Sequence, residues 1–565
     1  MKKILCIALA AGACLMSSCD GFMDAFPQDR VAEESFWSSE NDAVKFLTGT
    51  YYNSFPRQRD GSPFWDEAMS DNAYLVWDGW YGGQKFVANG TADTYGSVAA
   101  NMWSRGYANI RKCCRILENM DRVPLAQDKK EQYLGETHFL LAYNYHSLTL
   151  YFGDVPLVTK VLTIDESKEL VRSPGPDVVD FILGELDEAS RLLGGKEVDF
   201  GRVTWGACQA LKARVLLYSG RWQEAAAVTD GLLEKYTLHT AGDTPYEDLF
   251  SGAAEDSPEI ILSIPMERSS GSISTGHSVN QAFVLKGMSG GDPYRAIAPT
   301  GSLVDAYPMA DGRLIRERGS TYNPADPYRD RDPRLAQSII YPTGQIKYLN
   351  AETNTVEKTL YDPEDPSTIA AQQYSASEPS ATGYMWNKYT DWSPYALNNL
   401  TDCTNDIILF RCAEILLIRA EALAEARGTG AKDEVCDLID RLRTRCGGGA
   451  VHRENYNTQD DLIELVRNER RVELAGEGQR YWDLLRWRAA EKTASESFCG
   501  LKGELYGAFM RLDGAGRDSR TVMVDGVPRK YVETRFFESP RNYLNPVPQS
   551  EIDLNPNLTQ NPGWN

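Results

Sequence analysis

Aromatic residues set among short polar ones carry the most informative chemistry in this 565-residue chain. The stretch YLVWDGWYGG places Tyr74, Trp77, Trp80 and Tyr81 beside Asp71, Asn72 and Asp78, and its Gly-Gly argues for a loop. A second stretch, YMWNKYTDWSPY, groups Tyr384, Trp386, Tyr389, Trp392 and Tyr395 among polar residues. Neither keeps a helical or alternating period over a useful length. Rings on loops can stack against the apolar C–H faces of sugars while neighbouring Asp, Asn and Arg bond the hydroxyls. The competing reading makes the same rings core aromatics beneath long loops. The sugar reading selects Trp77, Trp80, Tyr81, Tyr294, Trp386 and Trp392. A millimolar affinity needs only about −4 kcal/mol, within reach of a few stacked rings and hydrogen bonds.

Other chemistry has thinner support. The five histidines, His138, His146, His239, His277 and His452, form no HExxH or other close metal pair. His138 and His146, eight residues apart on a predicted helix, read as packing or surface residues. Residues 287–291 match GxSxG, but Asp292-Pro293 follows where a nucleophile elbow needs a helix, so the match reads as chance. Glu414 and Glu421 lie seven apart on one predicted helix face, a spacing to weigh for glycoside hydrolysis and equally for pairing with nearby Arg. Asp326, Asp330 and Asp332 offer oxygen ligands for calcium, yet Arg329, Arg331 and Arg334 interleave them. No P-loop, dinucleotide fingerprint or CxxC pair occurs, and no cofactor is expected.

Lys2-Lys3, the apolar run from Ile4 to Ala13 and the small residues after it have the form of a bacterial secretory signal. The run is too short to span a bilayer as a helix, which takes about 20 residues. An ordinary signal peptide cut after Ser18 would leave Cys19 a plain thiol; a lipoprotein signal would make Cys19 the acylated first residue of the mature chain. The second reading is favoured, giving a tethered protein. A formal net charge of −21 without a long basic run makes nucleic acid and anionic lipid poor partners. Eight cysteines follow Cys19, from Cys113 to Cys499, at spacings that favour buried free thiols over a disulfide framework.

These residues need a scaffold. Trp205–Tyr218, broken at Gly220 and resumed over Trp222–Tyr236, has the small and large residues of a tetratricopeptide-type hairpin. Ile407–Arg427 with Glu434–Arg445 predicts another pair, and Trp103–Met120 with Glu131–Tyr151 a third, ended by Gly153. Thr458 and Asp461 predict a capping box opening a helix over Leu462–Ala475. Between Pro245 and Pro394 fall fourteen of the 27 prolines, with β-branched runs such as Ile260–Ile264, predicting a loop-rich insertion with short strands. The expected class is mainly α: a tetratricopeptide-like helical hairpin scaffold with a loop-rich, short-strand, ligand-facing insertion.

Taken in order, several segments resemble the SusD/RagB lipoproteins of Bacteroidetes outer membranes. They are CDGFMDAFPQDRVAEESFW, SDNAY (Ser70–Tyr74), WSRGYANIRKCCRILENM and GETHFLLAYNYHSLTLYFGDVPLV. DPRL (Asp332–Leu335), NDIILFRCAEILLIRAEAL, NERRVELAGEGQRYWDLLRW and NYLNPVPQSEIDLNPNLTQNPGW complete the series. Cys114 departs from the asparagine more usual after IRKC. The resemblance implies a cleaved signal over residues 1–18 and one SusD-like domain over 19–565. Its helical-hairpin regions would cover about 40–240 and 400–495, and its loop-rich regions about 240–405 and 500–565. It further implies a lipid-anchored, cell-surface binder of oligosaccharide, partnered with a SusC-like TonB-dependent transporter at the outer membrane, and not an enzyme. Alternatives are a surface glycoside hydrolase with an unrecognised carboxylate pair, or a structural lid of the transporter, with peptide as a further cargo. Of the shared motifs only Asp71 and Asn72 carry over as ligand contacts. Glu469, Arg470, Arg471, Glu473 and Asp483 are expected instead to form ion pairs that join helices.

Overall fold

The computed structural model describes residues 36–55, 62–76, 83–270, 275–285, 287–294, 296–361, 380–492, 500–508 and 521–564. Its larger part is a file of helices: α1 (Glu40–Ser54), α2 (Ser97–Asn119), α3 (Gln127–Phe152), α4 (Ile164–Lys168), α5 (Gly175–Leu193), α6 (Trp205–Tyr218) and α7 (Trp222–Lys235). After the loop-rich part follow α8 (Cys412–Arg427), α9 (Lys432–Arg445), α10 (Gln459–Glu473) and α11 (Arg480–Arg486). Of the long helices, each packs on the next, α2 on α3, α3 on α5, α5 on α6, α6 on α7; α7 then packs on α8, across the intervening loops. Two glycines allow close approach. A Cβ at Gly106 of α2 would lie 2.8 Å from Leu148 of α3, and one at Gly135 of α3 would lie 2.7 Å from Leu193 of α5.

The hairpin α6–α7 has the bounds its periodicity predicts to within one residue, with Thr204 capping α6 by accepting from the Ala207 N–H. The Thr458–Asp461 capping box is present, so α10 opens at Gln459, three residues ahead of the predicted Leu462. One element differs in kind. Ile407–Arg411, predicted as the first turn and more of a helix, is a β-strand antiparallel to Ile260–Ile264. Its β-branched isoleucines fit the pleated, buried surface, and the helix begins only at Cys412.

Strands elsewhere are short and form separate small sheets: Ala73–Leu75 (β1) with Ile297–Pro299 (β3), Ile339–Ile340 with Met385–Trp386, the hairpin Gln345–Asn350 with Thr355–Leu360, and a three-stranded sheet over residues 503–535. With Ile260–Ile264 as β2, the β1–β3 pair and the pairing of β2 with Ile407–Arg411 tie the loop-rich region to segments beside the helices. One large core runs through both parts, and two satellite clusters lie in the loop region, around Leu285, Met288 and Ile346 and around Val284, Leu349 and Leu397. The seven described cysteines, Cys113 to Cys446, are free thiols. Cys499 lies outside the described residues.

Candidate functional site

Two constellations have the chemistry of a site: a cluster of carboxylates with guanidinium groups, and the loop aromatics. The first centres on the C-terminal end of α10. Glu473 accepts from Arg334 at 2.8 Å, Arg411 at 2.8 Å and Arg445 at 2.5 Å. Glu477 accepts from Arg411 at 2.7 Å and Lys388 at 2.7 Å, and Glu469 from Arg334 at 2.7 Å and Arg443 at 2.9 Å. Arg470 bonds both oxygens of Asp483 at 3.0 and 3.1 Å. Burial pushes the Glu473 carboxyl up, but Arg445, Arg411 and Arg334 outweigh it and hold the group well below the usual carboxylate range. The partners come from four separate stretches of chain, so the cluster is a joint between elements, as expected of this motif. Glu469, Glu473 and Asp483 are buried and each faces guanidinium groups, which makes them poor groups for moving a proton to a substrate.

The same geometry removes several sequence candidates. Asp71 is fully buried and held by Arg480 at 2.8 and 3.0 Å and by Arg471 at 3.1 Å. Burial raises its pKa, yet the two cations bring it below the usual range. Asn72 is fully buried too, donating to Glu67 at 2.6 Å and accepting from Arg471 at 2.7 Å. These two are joint residues, a correction to their assignment as ligand contacts. Glu414 and Glu421 have diverged in role: Glu414 holds Arg214 at 2.7 Å, while Glu421 holds Arg486 and, at 2.6 Å, the Trp487 indole N–H. They do not face one cleft. Asp332 is likewise committed to Arg334 at 2.8 Å, and His146 is buried, its pKa lowered to about 3. Ser289 of the GxSxG match is followed by loop, with no helix among the described residues before Gly301.

The aromatics divide differently. Trp386 is 1% exposed, 6.0 Å from the Phe283 ring, and belongs to the main core, so it cannot meet a ligand. Its polar neighbours mislead: Asn387, Lys388, Thr390 and Asp391 are buried with it. Tyr384 and Tyr389 are core residues as well. Trp392 is half-buried, bridging both satellite clusters; its N–H donates to Asn387 at 2.8 Å and the Lys347 ammonium lies 5.5 Å from its ring centroid. Tyr294 is 36% exposed. Trp77, Trp80 and Tyr81 lie outside the described residues, as does Cys19.

Backbone pairing brings the remaining candidates' flanks together. The register Leu75↔Ile297 continues as Val76 N–H to Ala296 C=O at 2.8 Å, so the residue preceding Trp77 is bonded two residues from Tyr294. Tyr294 N–H donates to Gln281 C=O at 2.6 Å. The adjacent Asn280 exchanges bonds of 2.8 and 3.0 Å with the backbone of Asp391, next to Trp392. Tyr74, half-buried, has the Lys85 ammonium 5.7 Å from its ring centroid, and that ammonium donates to Val76 C=O at 3.1 Å. Sequence reasoning missed Lys85 and Lys347; nothing in their local pattern marks them, because each meets its ring only through the fold.

A family model described as the SusD family matches residues 258–564. The chain belongs to the SusD family. A second SusD-like model, described as starch-binding and associating with the outer membrane, matches residues 42–217. Among similar proteins is a SusD-like protein of Formosa agariphila, 26% identical over 84% of this chain and 89% of its own. Two SusD-like structures from Bacteroides fragilis, each 26% identical, superpose with TM-scores of 0.73 and 0.75. They cover 96% and 93% of this chain and 100% of their own; the second is of a carbohydrate-binding protein. The mainly helical SusD-like fold expected from the ordered motifs is the fold observed, and the two matches together span both the helical file and the loop-rich part. Within this SusD-family chain, the NERRVELAGEGQRYWDLLRW motif is the joint, while the exposed Tyr294 and half-buried Trp392 sit outside it.

Proposed function

We propose that this SusD-family protein is a non-catalytic glycan binder at the cell surface, which captures oligosaccharide and passes it to a SusC-like TonB-dependent transporter. The observation that carries the reading is the convergence of Tyr294, Trp392 and the flank of Trp77 on one hydrogen-bonded set of loops, while the motif acids are consumed in ion pairs. Tyr294, Trp77, Trp80 and Tyr81 provide stacking faces, and Trp392 a half-buried wall with Lys347 beside it. The carbohydrate-binding relative of known structure supports the ligand class. Acylation of Cys19 provides the anchor, and an outer-membrane location agrees with the description of the second family model.

Titration calorimetry over a broad glycan panel tests the reading: at least one oligosaccharide binds at millimolar or better affinity, with no new reducing ends after incubation. Released reducing ends would favour the hydrolase. Absence of binding across the panel, with transport still dependent on the protein, would favour a structural lid.

A further inference from the structure

A groove of about 720 Å³ opens between α2, the segment from Pro156 to Leu170 and the C-terminal helix α12 (Gln549–Leu554). Trp103 and Tyr107 of α2 line it, with Leu162, Ile164, Leu554 and Leu558 opposite. Ile164 and Leu554 are 77% and 74% exposed, a large aliphatic surface to leave in water. Three cations stand in its lining, Arg111, Lys160 and Lys168, against one acid, Glu551. Lys160 and Lys168 have local acids at 2.6 and 3.3 Å, whereas Arg111 is exposed and has no carboxylate partner among the described residues. Its chemistry suits an acidic, aromatic-bearing peptide.

We propose that residues 20–35 of this same chain dock in that groove. They carry Asp20, Asp24, Asp29, Glu33 and Glu34 against the single Arg30, and the apolar Phe22, Met23, Phe26 and Val31 among them. The described chain starts at Phe36, two side-chain contacts from Arg115 of α2. Phe36 packs on Phe46 at 5.7 Å, and Arg115 covers Phe46 at 5.2 Å. Arg115 is one helical turn from Arg111 on α2. At about 3.3 Å per extended residue, ten residues reach about 33 Å, ample for the groove. Because the segment is tethered, its effective concentration is in the millimolar range, so it stays docked at an affinity that a free peptide matches only when added at millimolar concentration. The docked segment would leave little free tether between Cys19 and the folded part, fixing how the protein stands on its anchor.

Hydrogen exchange of the mature chain against a chain lacking residues 20–33 tests this without reference to glycan. Docking predicts slower exchange at residues 160–170 in the longer chain, lost on deletion and regained on adding a peptide of residues 20–35. In the shortened chain, Arg111→Glu with Lys168→Glu is expected to weaken that peptide at least tenfold, with an unchanged thermal midpoint. Equal exchange in the two chains overturns the proposal. So does a shortened chain that ignores the peptide but takes up oleate, which would assign the groove to lipid.

Discussion

The helical file and the loop-rich part handle polar and aromatic residues in opposite ways. In the file's joint, Glu473, Glu469 and Asp71 are buried and paired with guanidinium groups from other segments, and buried Asp483 is paired with Arg470 and Arg486 of its own motif. In the loops, Trp392 is half-buried against two small satellite clusters and Tyr294 is exposed. A fully paired charge cluster rigidifies and tolerates no change, since removing one partner strands a buried charge. Half-exposed rings on small clusters can be exchanged cheaply. The NERRVELAGEGQRYWDLLRW motif therefore lies where the fold is joined, and the rings proposed to meet ligand lie where substitution costs less.

Breaking the joint should give the largest effects. Glu473→Gln leaves Arg334, Arg411 and Arg445 short of a counter-charge and is expected to cost about 3–5 kcal/mol in urea unfolding; a loss under about 1 kcal/mol would show that the joint is not what holds the halves. Asp71→Asn, which frees Arg480 and Arg471, should cost about 3 kcal/mol by the same measurement. Acid tests the joint collectively. Glu473, Asp71, Asp483 and Asp332 have lowered folded-state pKa values. Their stabilisation is complete above the unfolded carboxylate range near pH 4 and is lost as pH falls through the folded values. Asp305 and Asp406, raised by burial, act in the reverse sense, losing their contribution as pH rises through their folded values. The urea midpoint should thus fall steeply below about pH 4, and a flat profile there would contradict the pairing.

Smaller effects sharpen the other side. Trp392→Ala should cost about 2 kcal/mol, since the ring packs between two clusters, and should also weaken glycan. Tyr294→Ala should leave stability within about 0.5 kcal/mol while weakening glycan several-fold by calorimetry. If Tyr294→Ala changes stability and not affinity, the division between the two regions fails at that residue.

Much of the file was legible from spacing. The Trp205–Tyr218 and Trp222–Lys235 helices follow from apolar recurrence interrupted at Gly220, and the Thr458–Asp461 box from cap chemistry alone. Ile407–Arg411 was misread because a short apolar run running straight into a helix has no local mark of its strand partner, Ile260–Ile264. Trp386 was misread because its neighbours are polar, and their burial depends on partners far along the chain, such as Lys388 with Glu477 at 2.7 Å. Asp71 failed for the same reason: Arg480, its partner, lies 409 residues away. The ion pairs of NERRVELAGEGQRYWDLLRW were anticipated as a class, and the structure supplies their partners.

The most direct test sets the two regions against each other on one ligand. Calorimetry with the tightest oligosaccharide of the panel would compare the native protein, Asp71→Asn and the double variant Trp77→Ala/Trp80→Ala, each at a temperature where it is folded. At least tenfold weaker binding is expected for the double variant and unchanged affinity for Asp71→Asn. Loss of affinity in Asp71→Asn with the double variant unaffected would contradict the division between the two regions.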